Sequence, residues 1–285
     1  MCIMKNFTKE ELEFVKECLK NKVPKSRFVS NILHMDHRSF NKRCLANGFE
    51  YPNFRKNKIW DNPFENLEDP NVQYWLGWLA TDGYVTTGTT KRCALSLQMR
   101  DKDVIEKFNK FLGGHLTIYT GLHHQKFPYA RISFRNEKII SFLEDLGFNN
   151  NKTFEFNPKF PITWAYVRGC FEGDGYLRWG RINEFNICGG CKQHLLKIKQ
   201  FIESYGIKVR FYIKNKNRKS PLYYIHIGRK NDIIQVLNNI YKDADTFMNR
   251  KYNLARSISN SAWKSLKFGE PASGIPSQAD ENQKV

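Results

Sequence analysis

The sequence predicts an α+β chain: a duplicated αββαββα domain with pseudo-twofold symmetry, preceded by a small all-α helix-turn-helix module. Three observations lead there. The stretch Gln73-Tyr-Trp-Leu-Gly-Trp-Leu-Ala-Thr-Asp-Gly-Tyr84 resembles Ala165-Tyr-Val-Arg-Gly-Cys-Phe-Glu-Gly-Asp-Gly-Tyr176, and the two Asp-Gly steps lie 92 positions apart. After each copy, strand-like and helix-like segments follow in the same order, which marks a duplicated domain rather than a solenoid unit. The first 58 residues show helical periodicity and no strand alternation. The chain thus divides into a module and linker (1–58), a first half (59–158), a second half (159–267) and a tail (268–285).

In the module, Thr8 is placed to N-cap a helix over 8–21, with Glu11 at the capping-box position. Pro24 opens a second helix through Leu33 that buries Phe28, Val29, Ile32 and Leu33. After a break at His34-Met35-Asp36, a third helix runs over 37–47 and stops at Gly48. Two short helices joined by a tight turn have a helix-turn-helix layout, with Arg38, Asn41, Lys42 and Arg43 facing a major groove. Residues 1–58 hold 13 Lys+Arg against 6 Asp+Glu, which favours this reading over an ordinary three-helix bundle. Tyr51 to Lys58 reads as a basic linker.

In the first half, the motif helix leads into strands near 84–87 and 91–99 and a helix near 102–112. Strands near 115–120 and 129–135 follow, then a helix near 137–146. In the second half, strands lie near 176–180 and 183–188, with a helix near 192–204. Strands near 207–214 and 222–228 lead to helices near 230–241 and 246–258.

Alternation assigns the strand faces. Cys93, Leu95, Leu97 and Met99 oppose Arg92, Ser96, Gln98 and Arg100. Ala130, Ile132 and Phe134 oppose Tyr129, Arg131, Ser133 and Arg135. Ile207, Val209, Phe211 and Ile213 oppose Lys208, Arg210, Tyr212 and Lys214, while Ile225 and Ile227 oppose Tyr224 and His226. Each sheet therefore has an apolar face for a core and a cationic face suited to a phosphate-lined groove, which Arg178 joins. Lys216, Arg218 and Lys219, in a loop between strands, are placed to grip backbone phosphates.

The whole chain carries 46 Lys+Arg against 28 Asp+Glu, a formal charge of +18, which points to a polyanionic partner. Apolar runs fall short of the roughly 18 residues a span needs, and no signal peptide opens the chain. A membrane partner is therefore not expected, and the location expected is cytoplasmic, in a nucleoid or a phage-infected cell. Seven irregularly spaced cysteines read as reduced thiols. Cys188-Gly-Gly-Cys191 with His194 has zinc-ligand spacing but lacks a second pair, so it reads as a strand end entering a helix. The tail, rich in Gly, Pro, Ser, Gln and acids, has a disordered composition.

The chemistry concentrates at Asp82 and Asp174. Each ends a helix with a central glycine, Gly77 or Gly169, that permits close approach of a neighbouring backbone. Two such helices side by side bring the two acids together. An acid at a helix C-terminus is opposed by the helix dipole, so a matched pair asks for a cation. Paired carboxylates opening onto a basic surface suit Mg²⁺ and hydrolysis of a phosphodiester.

These residues, Trp75–Gly83 and Val167–Gly175, resemble the paired signature helices of the LAGLIDADG homing endonucleases, and the likeness extends over about 68–260. The resemblance implies saddle-shaped sheets over DNA and Asp82 and Asp174 as ligands of Mg²⁺ or another divalent cation such as Mn²⁺. It also implies backbone carbonyl ligands at Thr81 and Gly173. By position, Gln98 resembles a glutamine of the family's polar shell, whose counterpart in the second half falls near Cys188 or Gly189. Lys152 and Lys251 resemble late basic residues of each half that act in catalysis. Ala80 and Glu172 stand where the family name shows its earlier Asp, a position that does not bind the metal.

The expected function is a monomeric, site-specific double-strand DNA endonuclease whose helix-turn-helix extends the target. Two alternatives stand beside it: an RNA-splicing maturase with intron RNA as partner, and a DNA-binding regulator without catalysis.

Overall fold

The computed structural model describes residues 6–21, 23, 28–51, 59, 61–214 and 221–268, with 260–268 described by backbone alone. The expected basic linker (beyond Tyr51), the tail after Phe268 and the loop residues Lys216, Arg218 and Lys219 lie outside the described residues.

The N-terminal module holds α1 (Lys9–Lys20) and α2 (His37–Ala46). Thr8 and Glu11 close a reciprocal capping box on α1. Asp36 caps α2 by accepting the amides of Arg38 and Ser39. The start of the helix expected over Pro24–Leu33 lies outside the described residues, and 28–33 form turns, not a helix. There the Ile32 and Leu33 amides both donate to the Phe28 carbonyl. Phe28 and Val29 are buried as expected, but Ile32 is 56% exposed, because the turn directs it away from the core. That core is aromatic: Phe28 meets Phe40 and Tyr51 edge-to-face, and Phe7 meets Phe40. It is separate from the core of the two halves.

Helices α3 (Pro70–Thr81) and α7 (Trp164–Asp174) pack against each other at the centre. Asp69 caps α3 and Thr163 caps α7. Eight residues of each are buried, so both lack the polar face of a surface helix. A Cβ on Gly77 would overlap the Tyr166 carbonyl, and one on Gly169 the Tyr74 carbonyl, so the backbones touch where only glycine fits.

Each helix enters a four-stranded antiparallel sheet. The first holds β1 (Gly83–Thr86), β2 (Arg92–Gln98), β3 (Tyr119–His123) and β4 (Phe127–Phe134), in the order β1-β2-β4-β3. The second holds β5 (Gly175–Arg178), β6 (Glu184–Gly189), β7 (Arg210–Lys214) and β8 (Leu222–Ile227), in the order β5-β6-β8-β7. The same order in both sheets is the predicted duplication. Helices α4 (Lys102–Phe111) and α5 (Glu137–Asp145) lie on the first sheet, and α8 (Lys192–Glu203) on the second. A short α6 (Lys152–Glu155) joins the halves; α9 (Lys230–Tyr241) and α10 (Asn249–Phe268) complete the described chain.

Some boundaries differ from expectation. Residues Met99–Asp101 form a 3-10 turn, so Arg100 leaves the strand alternation and pairs with Asp101 at 3.6 Å. β3 starts at Tyr119, because Asn109 on α4 holds both backbone groups of Leu116 in a loop. No helix among the described residues is long and apolar enough to cross a membrane.

Candidate metal and nucleic-acid site

Asp82 caps the C-terminus of α3, Asp174 is the last residue of α7, and each is followed by the first residue of a sheet. A Cβ on Gly173 would lie 2.6 Å from Asp82 Oδ2, so the Asp82 carboxylate rests on the last turn of the opposite helix. Both acids are open to solvent at the mouth of the site yet ringed by protein below. That partial desolvation, followed by the charge of Asp174, raises the Asp82 carboxyl to about 6. Burial also raises Asp174, against the pull of Lys152 and Lys251.

The two lysines are buried, not surface residues, and each crosses to a motif helix. Lys152 Nζ donates to the carbonyls of Ala80 (2.9 Å) and Thr81 (2.8 Å) at the end of α3. Lys251 Nζ donates to Phe171 (2.7 Å), Glu172 (2.9 Å) and Gly175 (2.7 Å), with a longer contact to Gly173 at 3.4 Å. Helix-end carbonyls have no partner within the helix, and a cation there is favoured by the dipole. Burial, then Arg250, lowers the Lys251 ammonium to about 8. The Thr81 and Gly173 carbonyls, expected as metal ligands, thus accept hydrogen bonds from the two lysines in this structure.

Strand register refines the place of Gln98. Gly83 pairs with Leu95, and Gly175 with Ile187, so Ser96 corresponds to Cys188 and Gln98 to Gly190. The counterpart is therefore not Cys188 or Gly189 but the residue just beyond β6. The spacing of the two motifs gives the same match, since Gln98 and Gly190 each lie 16 positions after their aspartate.

The expected groove-facing residues mostly share the open faces of the sheets. Ser96 pairs with Arg131 and Ala94 with Ser133, while Arg92 donates to Ser133 Oγ at 2.9 Å. In the second sheet Tyr212 stacks on Tyr224 at 5.1 Å, and His226 Nδ1 meets Asn186 Oδ1 at 2.9 Å. Arg178, Arg210 and Lys214 are exposed within strands; Arg135 and Lys208 are exposed just outside them. In the module, Arg38, Asn41 and Lys42 lie on the exposed side of α2. Arg43 instead turns back to Glu11 at 3.8 Å and lies over the Phe7 ring.

Sequence reasoning missed two supports. Glu172 is buried and accepts from Tyr74 OH (2.6 Å) and the Met248 amide (2.7 Å), tying α7 to the start of α10. Arg250 donates to both oxygens of Asp101, and Lys107 donates to the Phe247 carbonyl, tying the same segment to the first half. Glu172 carries the one usable signal, an acid inside an apolar motif. Cys188 lies in β6 and α8 starts at Lys192, the strand-to-helix passage expected there. Cys188 faces the Asp174 carbonyl, Cys191 the Phe156 carbonyl, and His194 the Tyr166 hydroxyl.

Among the described residues no group of three or more His, Cys, Asp and Glu side chains is placed to hold a metal ion. The groups gathered here are two carboxylates and backbone carbonyls, all hard oxygen donors. Such a set fits Mg²⁺, which keeps several waters and takes few protein ligands.

Comparison with known proteins bears on the family. Residues 162–241 match the family model of the LAGLIDADG-like domain. No curated protein matches the chain. Among solved structures, the homing endonuclease I-WcaI bound to its DNA recognition sequence is 17% identical, with a TM-score of 0.49, over 69% of this chain and 90% of that one. I-DmoI in complex with DNA and Ca is 13% identical, with a TM-score of 0.45, over 69% and 100%. Full-length DUF199/WhiA from Thermatoga maritima is 15% identical, with a TM-score of 0.46, over 75% and 69%. The match to the LAGLIDADG-like domain thus spans α7 to α9, and the first sheet repeats the strand order of the second.

Proposed function

We propose that the protein is a site-specific double-strand DNA endonuclease. The observation that carries this is the convergence of Asp82 and Asp174 at the ends of two helices in backbone contact, at the junction of two cationic sheets. The LAGLIDADG-like domain supports the same reading.

Asp82 and Asp174 would hold the divalent cation, with the Thr81 and Gly173 carbonyls completing the set once released by their lysines. A bound Mg²⁺ supplies Lewis-acid activation of water and charge stabilisation on the leaving oxygen. Gln98, whose amide both donates and accepts, would orient water beside Asp82. Lys152 and Lys251 would provide positive charge facing a phosphate that gains charge during displacement. The sheet cations Arg92, Arg131, Arg135, Arg210 and Lys214 would neutralise backbone phosphates, while Tyr224 and His226 would face base edges. The N-terminal module would extend the contact through Arg38, Asn41 and Lys42 on α2.

The test is incubation with the host locus lacking this gene or its intron, with and without Mg²⁺. A Mg²⁺-dependent double-strand cut at one position is expected. Binding without cutting would favour a regulator, and binding of intron RNA alone a maturase.

A further inference from the structure

The two carboxylates sit in unequal surroundings. Asp82 and Gly173 line a cavity of about 300 Å³ together with Gln98, Asp101 and Arg250. Asp174 and Thr81 line one of about 50 Å³ with Lys152, Thr153 and Gly190. The cause lies in the segment joining the halves. At Gly190, the register counterpart of Gln98, a Cβ would come 2.6 Å from the Thr153 carbonyl and 3.2 Å from its methyl. Backbone cannot yield as a flexible side chain does, so the Asp174 side has no room for a residue like Gln98. The same segment brings Lys152 onto the Thr81 carbonyl at 2.8 Å, whereas Lys251 touches Gly173 only at 3.4 Å.

Building on the endonuclease reading, we propose that the Asp82 side is the roomier seat for a divalent cation in the free protein, while α6 and Thr153 narrow the Asp174 side. On this account the Thr153 backbone fills the space beside Gly190. The first strand would be cut at the Asp82 side, and DNA would have to displace α6 before the second cut.

Calorimetric titration of the full chain with Mn²⁺, without DNA, tests this. One site is expected, weakened by about tenfold or more in Asp82→Asn and by less than about threefold in Asp174→Asn. Two equivalent sites, equal weakening by both substitutions, or no binding at all would overturn it. Cleavage of the locus is scored separately. Unequal binding without cutting removes the endonuclease reading and keeps the unequal seats; cutting with equal binding does the reverse.

Discussion

Gly77 and Gly169 face each other across the two motif helices, each lying where a methyl group would strike the other helix's backbone. The Asp82 and Asp174 pair depends on that contact, because it fixes how far apart the two helix ends stand. Alanine at either glycine should cost about 2–3 kcal/mol, as overpacking against unyielding backbone does. Chemical denaturation would measure it. A loss below about 0.5 kcal/mol would mean that the helices separate easily.

Lys251 serves more carbonyls than Lys152, and its removal should cost more. Lys251→Met leaves the end of α7 unsatisfied at Phe171, Glu172 and Gly175, whereas Lys152→Met strips only Ala80 and Thr81. Losses of about 3 and about 2 kcal/mol are expected from unpaired buried acceptors. Denaturation midpoints of the two variants would rank them, and the reverse order would contradict this reading.

His194 should make the fold acid-sensitive. Burial first, then Lys152 and Lys197, lowers its imidazole to about 3 from 6.5. Its folded pKa is depressed, so its stabilising contribution is present above pH 6.5 and is lost as pH falls toward 3. Urea denaturation at a series of pH values should show that decline, with a smaller slope in His194→Gln. An unchanged slope in the variant would assign the acid sensitivity elsewhere.

Asp82 acts in the opposite sense. Its folded carboxyl is raised to about 6, so its stabilising contribution is complete below pH 3.8 and is lost as pH rises through 6. Without divalent cation at pH 7.5, Asp82→Asn should therefore raise Tm, by about 1–2 °C given its open side. The gain should vanish below pH 4. Thermal melts in chelator would show it, and a destabilised variant would mean that the carboxylate is already compensated.

Much of this was legible in the sequence, for identifiable reasons. The glycines and aspartates of the two motifs sit at fixed spacing within continuous helices, so local periodicity reaches them. The alternation of Leu95 and Leu97 with Ser96 and Gln98 gave the sheet faces. What escaped was set by contacts between distant segments. Lys152 reaches Thr81 across 71 positions, and Met248 reaches Glu172 across 76. Ile32 was misplaced because a turn stands where helical periodicity suggested a buried face.

The most direct measurement is cleavage of a DNA carrying the uninterrupted locus by the native chain and by Asp82→Asn and Asp174→Asn, with binding measured on the same DNA. The account predicts a Mg²⁺-dependent double-strand cut by the native chain and binding without that cut by either variant. Retained double-strand cutting by either variant, or cutting by the native chain without divalent cation, would contradict it.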